Sequence, residues 1–131
     1  MNRHLAVLSL SLVFSLHASA QENYSAEYAM CVDKSEGITS NLSDCSNEEL
    51  TKQNERLNKY YKVAMANLAA DKKTQLRDVQ RVWIKYRDSN CGMYYTLSGG
   101  SMDVLNGVGC ELSMTQERAD ELQWFAENGG E

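Results

Sequence analysis

The sequence contains no proline, and its two histidines, His4 and His17, both lie within the first twenty residues. Because those residues have the pattern of a cleaved signal peptide, the mature chain is expected to have no imidazole. Catalysis by Ser-His-Asp or Cys-His groups is therefore excluded, as is any metal site that needs a histidine ligand. No stretch alternates between polar and apolar residues for long enough to indicate a β-strand.

The N-terminal segment has the three parts of a secretory signal peptide. Arg3 gives a positive start, residues 5–16 form an apolar run, and residues 18–20 form the small-residue cleavage pattern Ala-Ser-Ala. The apolar run is shorter than the about 20 residues that a membrane span needs, and no cysteine for lipid attachment follows it. We therefore predict a signal peptide over 1–20 and one exported, periplasmic domain over 21–131 with no membrane anchor.

Negative charge exceeds positive charge over the chain as a whole. The sequence carries 18 acidic and 13 basic side chains, and its net charge of −5 becomes about −6 once Arg3 leaves with the signal peptide. A nucleic-acid binder would show a basic stripe, and none is evident in the sequence, so no nucleic-acid partner is predicted. An acidic exported protein is better suited to cationic partners. No cofactor is predicted.

Four cysteines remain in the predicted mature chain: Cys31, Cys45, Cys91 and Cys110. An even number in an exported protein indicates two disulfides, and the absence of a CxxC pair disfavours a four-thiolate zinc site. Three pairings are possible. The first two cysteines lie almost symmetrically about Gly37, and the last two about Gly99 and Gly100. If each glycine marks a turn, Cys31 pairs with Cys45 and Cys91 with Cys110, which is the pairing we favour.

The middle of the chain is rich in Ala, Leu, Lys, Glu, Gln and Arg, which are good helix formers. We predict an all-α, disulfide-linked helical bundle built on a long antiparallel helical hairpin. A short helix is expected over 25–33. The main helix is expected to begin at the capping box that starts with Ser46, or one turn earlier near Ser40. A break near Ala70 and Asp71, with Asp71 as the cap, would turn the chain back on itself.

The C-terminal part is predicted to form a helix over 102–110 and a separate last helix that begins at Ser113 or Thr115. The residues between the two halves, around Gly99 and Gly100, are predicted to form a loop. Residues 127–131 are expected to fray.

One helical stripe carries residues of unlike character. Gln80, Trp83, Arg87 and Cys91 follow one another at steps of three, four and four, which places them on a single face. We interpret this stripe as a device that sets the register of the hairpin, as a buried Asn does in coiled coils. In this interpretation Gln80 pairs with Asn58, and Arg87 reaches one of three carboxylates: Asp44, Glu48 or Glu49. Contact with a ligand is the alternative role.

The order of short motifs resembles a known family. The motifs are Cys31, Asp44-Cys45, LNKYY at 57–61, QRVW at 80–83, YRD at 86–88, Cys91, GGS at 99–101, Cys110 and TQER at 115–118. Together they resemble the LprI-type lysozyme-inhibitor-like domain, a family of exported bacterial proteins. The matching residues include Asn58, Tyr61 and the stripe on Gln80, Trp83 and Arg87. The family's namesake is a lipoprotein, whereas this sequence has no cysteine for lipid attachment.

The resemblance implies a lysozyme inhibitor or binding module, and we predict no enzymatic activity. In this hypothesis the acidic domain binds lysozyme or another cationic envelope protein. A loop that includes Tyr94, Tyr95, Gly99, Gly100 and Ser101 would enter the cleft, with the tyrosines as anchors. Alternatively, the two tyrosines only cover the base of the hairpin. A second hypothesis is a structural or stress-related periplasmic protein that binds another envelope component. The oligomeric state is not predicted.

Overall fold

A computed structural model describes residues 23–130, and the predicted signal peptide lies outside the described residues. The described chain forms four helices: α1 (Ala26–Lys34), α2 (Thr39–Asn67), α3 (Ala70–Tyr94) and α4 (Met102–Asn128). The predicted all-α, disulfide-linked bundle is confirmed. Within residues 23–130, no helix combines the length and the apolar character needed to cross a membrane.

Helix α1 folds back along the first half of α2. Ser25 caps α1 because its side chain accepts a hydrogen bond from the backbone N–H of Tyr28 at 3.2 Å. The turn between the helices contains Gly37 with φ +72°, a conformation that glycine adopts without steric cost. Helix α2 begins at Thr39, so the earlier of the two expected starts is correct. Ser46 lies inside the helix, where its hydroxyl donates to the carbonyl of Leu42 at 3.0 Å.

The predicted break between the two long helices is confirmed, with a different cap. Helix α2 ends at Asn67, Leu68 and Ala69 have extended backbones, and Ala70 begins α3. Ala69 is the N-cap and makes no side-chain hydrogen bond, while Asp71 lies in the first turn, where a carboxylate favours the helix dipole. The break contains neither Gly nor Pro, and the half-buried side chain of Leu68 packs against the core at this point.

Helix α4 is continuous over Met102–Asn128, so the prediction of two shorter helices is wrong. Gly107 and Gly109 do not interrupt it. The hydroxyl of Ser113 donates to the carbonyl of Cys110 at 3.2 Å, a bond inside the helix and not a cap at a new helix start. Thr115 is fully buried in the same helix.

Helix α4 is the central element of the bundle. Helix α2 makes most of its contacts with α4, and it makes few with α3. Helices α2 and α4 run parallel, because the contacting residues advance together: Thr39 with Met102, Arg56 with Asp120, Asn67 with Ala126. Helices α3 and α4 run antiparallel, as shown by three further pairs: Gln80 with Arg118, Arg87 with Thr115, Cys91 with Cys110. The two helices of the predicted hairpin therefore meet mainly through α4.

The two halves of the bundle are stabilised differently. The half near the α2–α3 turn contains a hydrophobic core of six buried residues: Leu57, Ala64, Leu76, Ala119, Leu122 and Ala126. The other half contains both disulfides, and beside Val108 and Leu112 it buries the polar side chains of Ser35, Ser43 and Asp103. Small domains with little apolar volume commonly depend on such cross-links.

Candidate functional site

Four chain segments meet at the disulfide half of the molecule, which we call the loop end. They are the end of α1, the start of α2, the end of α3 and the start of α4. The α3–α4 loop, residues 95–101, lies at the outer edge of this end. It contains most of the residues that were predicted to bind a partner.

A buried carboxylate fixes the backbone of this loop. Asp103 accepts hydrogen bonds from the N–H of Ser98 at 2.9 Å, from the N–H of Gly99 at 2.7 Å, and from the hydroxyl of Ser98 at 2.7 Å. The Ser98 side chain, together with the two backbone donors, lowers the pKa of Asp103. Gly99 has φ +78°, so the turn depends on glycine at this position.

The two predicted anchor tyrosines have different environments. The ring of Tyr95 lies directly over Gly107, where a Cβ atom would come within 2.5 Å of it. Its hydroxyl donates to Glu111 at 3.4 Å, and burial, followed by the charge of Glu111, raises the pKa of Tyr95. Tyr95 therefore covers the base of the loop, whereas Tyr94 remains exposed on the side. The most exposed large apolar side chain of the loop is Leu97, which is 69% exposed.

Both disulfides lie in this half, and their pairing is the one that the sequence favoured. Cys31 is bonded to Cys45 with a Cα separation of 5.7 Å, and Cys91 to Cys110 with a separation of 5.5 Å. The second bond joins the last turns of α3 to α4 directly below the loop. No cysteine of the described chain is free.

The loop end carries both exposed apolar side chains and exposed carboxylates. Six exposed large apolar side chains lie there: Ile38, Met93, Tyr94, Leu97, Met102 and Val104. Exposed carboxylates stand on the neighbouring α1 and α2 segments: Asp33, Glu36 and Asp44. Exposed apolar surface with a polar edge is typical of a site for protein binding.

A second feature is an open groove between α2 and α3, with a volume of about 430 Å³. It is lined by ten residues, which define the α2–α3 groove: Asn54, Leu57, Asn58, Tyr61, Arg77, Gln80, Arg81, Trp83, Ile84 and Arg87. All five residues of the predicted polar motif on α2 and α3 are in this set. The structure thus brings them together along one groove.

Beside this groove, the stripe on α3 also contacts α4. The partners predicted for its polar groups are therefore wrong. Gln80 accepts a hydrogen bond from the Nε of Arg118 at 2.9 Å, and its expected partner Asn58 is exposed. Arg87 donates to Asp88 at 2.8 Å and to Thr115 at 3.3 Å instead of reaching the carboxylates of α2. The sequence placed these groups correctly on a packed face, but it did not show which helix covers that face.

Sequence reasoning missed the burial of two carboxylates, Asp103 in the loop end and Glu49 between α1 and α2. Glu49 is 1% exposed and accepts hydrogen bonds from the backbone and hydroxyl of Ser25 and from the Gln53 amide, the last at 2.8 Å. It joins the start of α1 to α2. The spacing of Glu49, Gln53 and Leu57 at steps of four is the signal that places it on the inner face.

Sequence reasoning also missed a local cluster of positive charge. Arg77, Arg81 and Arg87 all line the α2–α3 groove although the chain is acidic overall. Net charge averages over the molecule and therefore conceals such a cluster. The spacing of Arg77 and Arg81 by four residues on a helix was the available signal.

A known protein family matches the part of the chain that contains these features. The family described as "Lysozyme inhibitor LprI" matches residues 31–122, a segment that includes both disulfides, the α3–α4 loop and the groove. The "Uncharacterized protein R02472" of Rhizobium meliloti (strain 1021) is 29% identical over 101 residues, which cover 66% of this chain and 73% of that protein. No solved structure matches significantly. The chain therefore belongs to the LprI lysozyme inhibitor family.

Proposed function

We propose that this protein is exported to the periplasm, where it binds and inhibits a cationic cell-wall hydrolase of the lysozyme type through its loop end. The family assignment and the predicted signal peptide support this proposal. The inhibitor acts by occupying the enzyme and performs no chemistry of its own.

The observation that carries the proposal is the exposed but fixed α3–α4 loop. Asp103 holds its backbone, Tyr95 packs below it, and the Cys91–Cys110 bond joins the two helices that bear it. A loop that is already ordered loses little conformational entropy when it binds. Leu97 is the apolar anchor at its tip, a role that the sequence interpretation gave to the tyrosines.

Electrostatics favour the approach of a basic enzyme. Asp33, Glu36 and Asp44 are exposed on the α1–α2 side of the loop end, and the chain has a net negative charge. Such an arrangement raises the association rate with a cationic partner and does so less at high salt, because ions screen the attraction.

The test is the rate at which lysozyme clears a cell-wall suspension in the presence of the purified mature chain. We expect inhibition at a stoichiometry near one to one that weakens with added salt. Leu97→Asp should reduce the apparent affinity by about tenfold or more, because it places a charge at the centre of the interface. Val82→Asp is the matched control, since Val82 is 67% exposed but lies in the middle of α3.

Two results would contradict the proposal. One is unchanged lysis at a tenfold molar excess of the protein. The other is an equal loss of inhibition in Leu97→Asp and Val82→Asp, which would show that Leu97 has no special role. If an envelope extract then yields a reproducible partner other than lysozyme, the structural or stress-related hypothesis takes its place.

A further inference from the structure

The α2–α3 groove is lined by positively charged, aromatic and amide side chains. Its lining includes three guanidinium groups, from Arg77, Arg81 and Arg87, and the aromatic rings of Tyr61 and Trp83. Three amide side chains complete the polar lining: Asn54, Asn58 and Gln80. No lining residue is a carboxylate. The groove is thus a positive site on an acidic protein.

Two of these arginines have no ionic partner among the described residues. Residues 23–130 contain five arginines, and three of them form ion pairs with carboxylates: Arg56 with Asp120, Arg87 with Asp88, Arg118 with Glu121. The remaining two are Arg77 and Arg81, which are exposed and stand four residues apart on α3. Like charges at this spacing slightly destabilise a helix. A bound anion would remove that repulsion.

The aromatic part of the groove is held in place. The guanidinium of Arg87 lies 5.0 Å from the ring centroid of Trp83 and is itself bonded to Asp88 and Thr115. The tryptophan ring is half-buried against the core, and it also lines the groove. An ordered aromatic side chain suits the C–H groups of a sugar ring, while the amides beside it can both donate to and accept from hydroxyl groups.

We propose that the α2–α3 groove binds a glycan whose sugars carry carboxylate groups. The arginines bind the carboxylate, for which the guanidinium fork is well matched, and the rings and amides bind the sugar. The volume of about 430 Å³ lies within the range of roughly 300–1,000 Å³ that is usual for small-ligand pockets. The groove lies on the flank of the bundle, so the proposal does not depend on inhibition by the loop end.

Trp83 provides a direct readout of binding. The chain has two tryptophans, and the other, Trp124, is 60% exposed on α4. In a Trp124→Phe background, the fluorescence of Trp83 is followed while a tetrasaccharide of alternating N-acetylglucosamine and N-acetylmuramic acid is added. We expect a saturable change at one site. Chitotetraose, which lacks the carboxylates, should bind at least tenfold more weakly.

A pair of double variants separates the groove from general charge effects. Arg77→Ala/Arg81→Ala should weaken binding of the acidic glycan by about tenfold or more, because two charge-assisted contacts are lost. Lys34→Ala/Lys72→Ala removes the same charge outside the groove and should change the affinity by less than about twofold. Circular dichroism of both variants establishes that they are folded.

Several results would overturn the assignment. These are the absence of a saturable signal, equal affinity for the neutral and acidic glycans, and equal losses in the two double variants. Displacement of the glycan by inorganic phosphate or by a Glu-rich peptide at comparable concentrations would show a general anion site instead. Loss of lysozyme inhibition in Leu97→Asp with unchanged glycan binding would separate this site from the loop end.

Discussion

The two disulfides provide the sharpest test of how this fold serves its proposed function. They close segments of similar length, with sequence separations of 14 and 19 residues. Loop-closure entropy then gives each bond about 3 kcal/mol of stability at 25 °C. For a domain of this size, each loss corresponds to a fall in Tm of roughly 10–20 °C. The two bonds should therefore contribute nearly equally to the stability of the protein, so the effects of removing them can be compared directly.

Their effects on inhibition should differ. The variants are Cys31→Ala/Cys45→Ala and Cys91→Ala/Cys110→Ala, with alanine chosen because a buried serine hydroxyl would need a partner. Only the second bond joins the helices on both sides of the α3–α4 loop. Its loss should free the loop and weaken inhibition by about tenfold, through the entropy of ordering a flexible segment on binding. The first variant should inhibit almost as well as the unmodified protein.

Stability is measured by urea unfolding followed by far-ultraviolet circular dichroism, and inhibition at a temperature below both unfolding transitions. Equal losses of inhibition in the two variants would refute the link between the second disulfide and the binding loop. A cost below about 1 kcal/mol for either bond would refute the entropic estimate.

Three further predictions concern buried groups. Gly107→Ala should lower the free energy of unfolding by about 1–3 kcal/mol, because the new Cβ would meet the ring of Tyr95 at 2.5 Å. Gly109→Ala is the control in the same urea unfolding experiment, since a Cβ there meets open space. Equal effects of the two substitutions would contradict the close approach. Glu49→Ala should lower the free energy of unfolding by about 3 kcal/mol in the same assay, because the Ser25 N–H and the Gln53 amide lose their acceptor. A decrease below about 1 kcal/mol would show that Glu49 does not stabilise the junction of α1 and α2. Because the pKa of Asp103 is lowered, its carboxylate stabilises the loop at pH values above the ordinary carboxyl pKa of about 3.9. This stabilisation is lost as the pH falls through the lower pKa that Asp103 has in the folded protein. Amide exchange measured by NMR should show this change at the loop amides, and the same pH dependence in Asp103→Asn would contradict it.

Local features of the fold were predictable from the sequence because they depend on neighbouring residues. The glycines at 37 and 99 indicated the turns that bring each cysteine pair together, and both turns have glycine at positive φ. The break between α2 and α3 was predicted within two residues. The stripe through Gln80 and Cys91 was correctly identified as a packed face.

Tertiary choices were not predictable in the same way. A helical stripe shows which face is buried, but not which helix covers it, so the pairing of α2 with α3 was preferred over the observed packing of both on α4. No role was predicted for Gly107, and the structure shows that it makes room for the ring of Tyr95. Glu49 was interpreted as part of a cap, because a charged residue is rarely fully buried without partners that the sequence does not reveal.

In the candidate site, too, local features were predictable from the sequence and tertiary packing was not. The sequence identified the α3–α4 loop and the five motif residues of the α2–α3 groove, but it assigned the anchoring role to the tyrosines. The proposal that Leu97 is the anchor depends on the structure, which shows Tyr95 packed over Gly107 and Leu97 exposed. The positive charge of the groove was hidden by the net acidity of the chain.

The most direct test of the central claim is an NMR titration of the ¹⁵N-labelled mature protein with unlabelled lysozyme. The account predicts that the largest shifts and line broadening occur at the amides of residues 94–104 and of the adjoining α1–α2 turn. A complex whose perturbed amides lie in the middle of α3 or on the outer face of α4, with the loop unaffected, would contradict it.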